Sequence, residues 1–271
     1  MKNLMTVGAA LMMTTTMASA GGIDRGSNGY AVLFEDGNYV ELSFSSVKPD
    51  VSGEYTALAA FGAETDNMAE DYQSASVALK YAINDQIDVG LFINKPYGAN
   101  ATYTAGAYTG IAADWDSSQL AIVLKYQMND NISVYGGLRS VESQATIALP
   151  GATGVYTAST DANRQNGFIA GAAYERPDIA MRVALTYESG MTHDFTTTEA
   201  VNGTTILEST TEIEIPQSVT LDFQTGVAAD TLVFGSVRWS EWSVWEVAPA
   251  GYAAANGGAR ITGIDNDVTT F

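Results

Sequence analysis

From residue 39 onward the chain alternates large apolar side chains with small or polar ones, in segments of about 8 to 12 residues, the length of a tilted membrane strand. The clearest segments cover 39–47, 72–83, 87–94, 118–127, 132–141, 166–174, 179–188, 215–225 and 231–239. In the seventh, Ile179, Met181, Val183, Leu185 and Tyr187 share one face, while Ala180, Arg182, Ala184 and Thr186 share the other. The same parity sets Val77, Leu79 and Tyr81 against Lys80, Ile122, Leu124 and Tyr126 against Lys125, and Val134 and Leu138 against Arg139. Successive strand residues point to opposite sides, so the bases fall opposite the large apolar groups. No stretch sustains the 3.6-residue period of a helix.

The connections sharpen this picture. Short ones, "NDQ", "NDN", "ERPD" and "AAD", alternate with long ones over 49–71, 96–117, 145–165, 191–214 and 246–266. A soluble sandwich gives the same facial alternation but has no reason to alternate its loop lengths. An antiparallel up-and-down transmembrane β-barrel has one, with short turns on one side of the membrane and long loops outside. A base on the lipid face costs about 2–4 kcal/mol at mid-membrane, so Lys80, Lys125, Arg139, Arg182 and Arg238 are predicted to face the lumen. Nine strands are legible. The final "DVTTF" is a candidate tenth but is too short and polar to be a convincing last strand, and bacterial barrels close with even numbers, so the chain is expected to stop short of a complete barrel.

Composition changes the picture in three ways. Residues 1–20, "MKNLMTVGAALMMTTTMASA", have a lysine, an apolar run and Ala18-Ser19-Ala20, the form of a cleaved secretory signal. The remainder has no run long enough for a membrane helix. With 31 acidic and 12 basic residues the net charge is −19, which excludes the basic face that nucleic acid requires. Only 16% of residues are charged, low for a soluble domain. There is no cysteine and a single histidine, His193, which lacks any nucleophile motif nearby and is expected at the extracellular rim. No catalytic site, metal site or cofactor is therefore predicted, and the loop carboxylates lack the spacing of a calcium loop.

Four stretches in order, "LFEDGNYVELSFSSVKPDVSG", "DVGLFINKPYGAN", "MRVALTYESGMTHDF" and "IPQSVTLDFQTGVAADTLVFGSVRWSEWSVW", resemble the FadL/TodX family of outer-membrane transporters for long-chain fatty acids and other hydrophobic compounds. The resemblance implies a fourteen-stranded barrel, about ten strands of which are present. It also implies an N-terminal hatch over 21–38 that places Tyr30, Leu33 and Phe34 in the lumen, and a barrel over 39–271. The Asn-Pro-Ala often found in the family's hatch is missing. Substrate would be captured between extracellular loops, pass to an interior pocket and leave sideways beside an inward kink of the third strand. The implied function is passive, ligand-gated uptake in the outer membrane of a Gram-negative bacterium. Long-chain fatty acids are the commoner substrate, and lipopolysaccharide and membrane lipid are the surroundings of a monomer. The alternative is a general diffusion porin with an open aqueous lumen.

Several residues are candidates for that function. Tyr103, Tyr108, Ile111 and Trp115 lie in the apolar loop "ATYTAGAYTGIAADW", a possible capture site. Lys80, Lys125, Arg139, Arg182 and Arg238 are placed to meet a ligand carboxylate, or to pair with lumen acids such as Glu188 and Asp222. Of the tryptophans in "VRWSEWSVW", strand parity assigns Trp239 to a lipid-facing girdle and Trp242 to the opposite face, at the mouth of the lumen.

Overall fold

The computed structural model describes residues 23–25, 29–54, 64–151, 154–228 and 230–271; the expected signal segment lies outside them. The described strands are β1 Tyr39–Val47, β2 Tyr72–Asn84, β3 Ile87–Asn94, β4 Gly98–Thr102, β5 Ala112–Gln127, β6 Ile132–Gly151, β7 Gly154–Thr160 and β8 Asn163–Arg176. They continue with β9 Met181–Glu188, β10 Met191–Val201, β11 Thr204–Ile215, β12 Ser218–Ala228, β13 Thr231–Ser240, β14 Glu246–Val247, β15 Thr262–Gly263 and β16 Val268–Thr270. Among the described residues the one α-helix, α1 (Ala250–Ala255), lies between β14 and β15.

Ten strands form the wall, in the order β1-β2-β3-β5-β6-β8-β9-β12-β13-β16, and every pairing is antiparallel. The candidate tenth strand in "DVTTF" is β16, which pairs with β13 from Arg238↔Thr270 to Ser240↔Val268. Pairing along a neighbour compensates for its polarity and brevity.

Burial along the wall is inverted relative to a soluble protein. On β5 and β6 the outward Leu124 and Leu138 are 53% and 70% exposed, whereas Arg139 on the inner face is 1% exposed. Large apolar side chains facing out beside bases facing in are what lipid outside and a polar lumen inside require. Gly171 on β8 has a local role: a Cβ there would overlap the Tyr135 ring, so its absence lets that ring lie against the inner wall.

The short turns follow from their sequences. Asn84 Oδ1 accepts the N–H groups of Gln86 and Ile87, and Asn129 Oδ1 those of Asn131 and Ile132. Each asparagine thus closes its own turn. "ERPD" becomes a 3-10 turn over Pro177–Ile179, using the preset φ of proline.

The long connections are more ordered than the sequence suggests. β10 and β11 form a hairpin that continues β9 and β12 beyond the membrane, and β10 leaves β8 to pair with β7. Pro216, which lacks a backbone N–H, separates β11 from β12. Pro96 similarly divides β3 from β4, so the third wall strand is interrupted at 95–97. There β2 loses its partner: β3 pairs with residues 77–84 of β2 and not with 72–76.

Candidate functional site

Three features occupy the concave side of the wall: a latched N-terminal segment, an apolar cavity and a side gap. The first is built on a 3-10 turn, Ala31–Phe34, whose Val32 and Leu33 are buried. Lys80 donates to the Glu35 carbonyl at 2.6 Å and Lys125 to the Leu33 carbonyl at 2.8 Å. Asp88 neutralises both lysines at 3.2 Å. Phe34 packs edge-on against Tyr135 and sits under Lys125 and Arg182 at 5.0 and 4.7 Å. Arg182 also donates to Gln224 at 2.9 Å.

Above this, Glu188 is the centre of a buried network. It accepts from Tyr30 at 2.8 Å and from Arg238 at 2.9 Å, and lies 3.4 Å from Arg139. Arg139 also donates to the Tyr97 hydroxyl at 3.1 Å and to the Ser189 carbonyl at 2.7 Å. Burial, reinforced by the Glu188 charge, pushes the Tyr30 phenol well above its usual pKa, which keeps it a donor. The lumen bases that parity selected are therefore inside the lumen, and each has a protein partner.

The cavity lies higher, between the β5–β7 and β10–β11 extensions and the segment after β13. Its volume is about 70 Å³, and its lining includes Ile23, Ala99, Trp115, Ala145, Ala158, Ile213, Trp245 and Val247. Among the described residues Asp114 is the one charged member of the lining. Trp115 stands edge-on to both Phe195 and Trp245, with ring centroids 5.7 and 6.1 Å apart.

Of the four loop residues expected to act together, Trp115 alone lines the cavity. Tyr103 and Tyr108 stack edge-on at 5.8 Å in a turn closed by backbone bonds from Tyr103 N–H to the Ile111 carbonyl and from Gly110 N–H to the Tyr103 carbonyl. Trp242 requires a correction. β13 ends at Ser240, and Trp242–Val244 form a 3-10 turn, in which side chains three apart align. Trp242 and Trp245 consequently enter the same core. Trp242 donates to Asp24 at 3.1 Å, while Trp245, which strand parity passed over, reaches the cavity. His193 lies near the start of β10, in the extension beyond the membrane, and is wholly buried there. It stacks on Phe195 at 5.1 Å and its Nδ1 is 3.1 Å from Asn163.

The side gap is the place where β2 lacks β3. A hollow of about 180 Å³ there is lined by Arg25, Tyr72, Gln73, Ser74, Lys95, Tyr97, Asn100 and Asp116. Residues Ile23 to Arg25 run beside it: Gly98 N–H donates to the Ile23 carbonyl at 2.8 Å, and Arg25 N–H to the Pro96 carbonyl at 2.9 Å. Arg25 lies over the Tyr72 ring at 3.5 Å and hydrogen-bonds Asn100. One tripeptide therefore touches the cavity through Ile23 and the gap through Arg25. Sequence reasoning missed Ile23, Asp24 and Arg25, because nothing in "GGIDRG" marks a strand or a turn partner.

Among curated proteins none matches the sequence. Among solved structures, a crystal structure of a Pseudomonas aeruginosa FadL homologue is similar over 86% of this chain, with a TM-score of 0.60 and 14% identity. This chain spans 65% of that structure's length. A TodX mutant described as a monoaromatic hydrocarbon channel matches over 83% of this chain and 69% of its own, with a TM-score of 0.56 and 16% identity. CymD, also described as a monoaromatic hydrocarbon channel, matches over 83% and 67%, with a TM-score of 0.52 and 12% identity. At such identities the likeness establishes the fold alone. The family model for outer membrane protein transport proteins (OMPP1/FadL/TodX) matches residues 8–265, and the chain belongs to that family of Gram-negative outer-membrane β-barrel proteins, which are transport channels and not enzymes.

Proposed function

We propose that the protein takes up hydrophobic molecules passively across the outer membrane, by capture in the apolar cavity and sideways release through the gap at residues 95–97. The observation that carries this reading is the tripeptide Ile23–Arg25, which joins the two sites: Ile23 lines the cavity and Arg25 lies in the gap. A ligand that displaces Ile23 also disturbs the backbone bonds that hold Arg25 beside Pro96. Neither ATP nor a covalent step is needed, because an apolar solute moves down its own gradient from an apolar pocket into lipid.

Two substrate classes compete, long-chain fatty acids and uncharged hydrocarbons. A fatty-acid carboxylate loses its hydration in an apolar pocket and needs a cation there. The cavity lining offers Asp114 instead; Lys80, Lys125, Arg139 and Arg238 are engaged by Asp88, Glu188 and backbone carbonyls, and Arg182 by Gln224 and the Phe34 ring. This supports an uncharged hydrocarbon over a carboxylate as the better fit to this cavity. The neighbours described as monoaromatic hydrocarbon channels agree with that class. The porin alternative is disfavoured by the segment and ion pairs held against the inner face of the wall.

Proteoliposomes provide the test. We expect saturable naphthalene entry together with slow swelling in arabinose. Rapid arabinose swelling would instead indicate an open pore.

A further inference from the structure

The cavity is covered by a segment of unusual construction. After the Trp242–Val244 turn the chain leaves the wall, forms β14, α1 and β15, and returns to the wall at β16. Its neck is closed on itself: β14 pairs with β15, Ile261 N–H donates to the Val247 carbonyl at 2.8 Å, and Ile264 N–H to the Trp245 carbonyl at 3.1 Å. The excursion is thus a preformed flap rather than a loose loop. Its underside supplies Val247, Pro249 and Thr262 to the cavity lining.

The far end of the flap is held by one carboxylate. Glu199, fully buried on β10, accepts the N–H of Gly251 and the N–H of Tyr252, each at 2.8 Å. Tyr156 on β7 donates to the same carboxylate at 2.6 Å and packs its ring against Tyr252 at 5.6 Å. Glycine at 251 is required for this approach, since a Cβ there would lie 2.6 Å from one Glu199 oxygen. A buried carboxyl group is tolerated because several donors converge on it. Strand β10 therefore contributes an acceptor at a point where the flap presents two amides.

We propose that residues 246–263 are a hinged lid on the cavity and that Glu199 is its latch. Ligand enters and leaves when the two hydrogen bonds to Gly251 and Tyr252 break and the flap swings on its self-closed neck. The proposal rests on reading the cavity as the ligand's seat. It adds a gate on the extracellular side, separate from Ile23–Arg25, and makes Glu199 a determinant of exchange rate rather than affinity. Glu199→Gln keeps the size of the side chain but turns an N–H₂ toward amides that need acceptors. Tyr156→Phe removes one support and leaves the carboxylate.

The experiment uses the full protein in detergent. Hydrogen exchange read by mass spectrometry should show the amides of residues 250–255 exchanging at least tenfold faster in Glu199→Gln, with those of β13 unchanged. Stopped-flow tryptophan fluorescence with naphthalene should show association and release both accelerated at least fivefold, with equilibrium affinity within twofold of the parent. Because the chain has no cysteine, Tyr156→Cys with Tyr252→Cys, bridged by a reducible bifunctional thiol reagent, should stop naphthalene exchange until reductant is added. Unchanged amide exchange in Glu199→Gln would overturn the latch, and faster amide exchange with unchanged ligand kinetics would overturn the gate. If the parent binds no naphthalene, the reading of the cavity fails and the lid falls with it, a result the hydrogen-exchange arm keeps distinct from failure of the latch alone.

Discussion

The Tyr30 hydroxyl donates to the Glu188 carboxylate at 2.8 Å across 158 residues of sequence, and so ties the N-terminal segment to the ninth strand. A hydrogen bond to a charged group is worth about 1.5–3 kcal/mol, and every 1.4 kcal/mol is about tenfold in a population. Tyr30→Phe, which retains the edge-on packing on Phe92, should therefore raise the unlatched fraction by about tenfold to a hundredfold. Arabinose swelling of proteoliposomes should accelerate accordingly. A swelling rate equal to that of the parent would show that this bond does not hold the plug.

Glu188 is more costly to lose than any single base beside it. It faces Arg139 and Arg238 at once, and its side chain is 2% exposed. Removing one member of a buried ion pair leaves an uncompensated charge and costs about 3–5 kcal/mol. Glu188→Gln is expected to lower stability by that amount in thermal unfolding in detergent. Lys95→Ala breaks the Lys95–Asp116 pair, whose side chains are each 48% exposed, and should cost under about 1 kcal/mol. Equal losses in the two variants would contradict the assignment of Glu188 as the centre of the lumen network.

His193 gives the protein an acid limit. It lies on the β10–β11 hairpin, outside the membrane span, and burial lowers its pKa to about 4. The folded state thus disfavours the protonated ring relative to the unfolded chain, in which the pKa is about 6.5. Stability from this site is complete above pH 6.5 and is lost as pH falls from there through about 4. The full loss is on the order of 3 kcal/mol. Thermal unfolding of the parent should drop across that window, and His193→Gln should flatten the drop. Because the chain has one histidine, a single imidazole proton signal reports the titration directly, and a midpoint near 6.5 in the folded protein would refute the prediction.

The wall was legible in the sequence because lipid imposes a strict rule on it. A period of two, bases opposite large apolar groups, and asparagines closing the short turns each follow from local chemistry, and Lys80, Lys125 and Arg139 face inward as parity requires. The cavity was less legible, since its lining comes from seven or more separate stretches that only the outer extensions bring together. Trp242 and Trp245 show the limit most clearly. Parity holds only while a strand continues, and the chain turns at Ser240 into a 3-10 segment, for which "SEWSVW" carries no breaker such as proline or glycine. The latching of Lys80 and Lys125 onto backbone carbonyls was equally invisible, because an acceptor on the main chain leaves no residue-type signal.

The cavity itself can be tested by filling it. Ala158 on β7 is buried and lines it, opposite residues of the β10–β11 hairpin. Leucine at this position adds three carbons, each worth about 0.8 kcal/mol when buried, to a void of about 70 Å³. The new side chain therefore occupies existing space instead of forcing the overpacking that usually costs about 1–3 kcal/mol. Ala158→Leu should leave the unfolding temperature within a few degrees of the parent and arabinose swelling unchanged, while weakening saturable naphthalene binding at least tenfold. The same addition at an outward position, Ala170→Leu on β8, which is exposed, should leave binding unaltered. Retained naphthalene affinity in a stably folded Ala158→Leu protein would place the ligand elsewhere in the lumen.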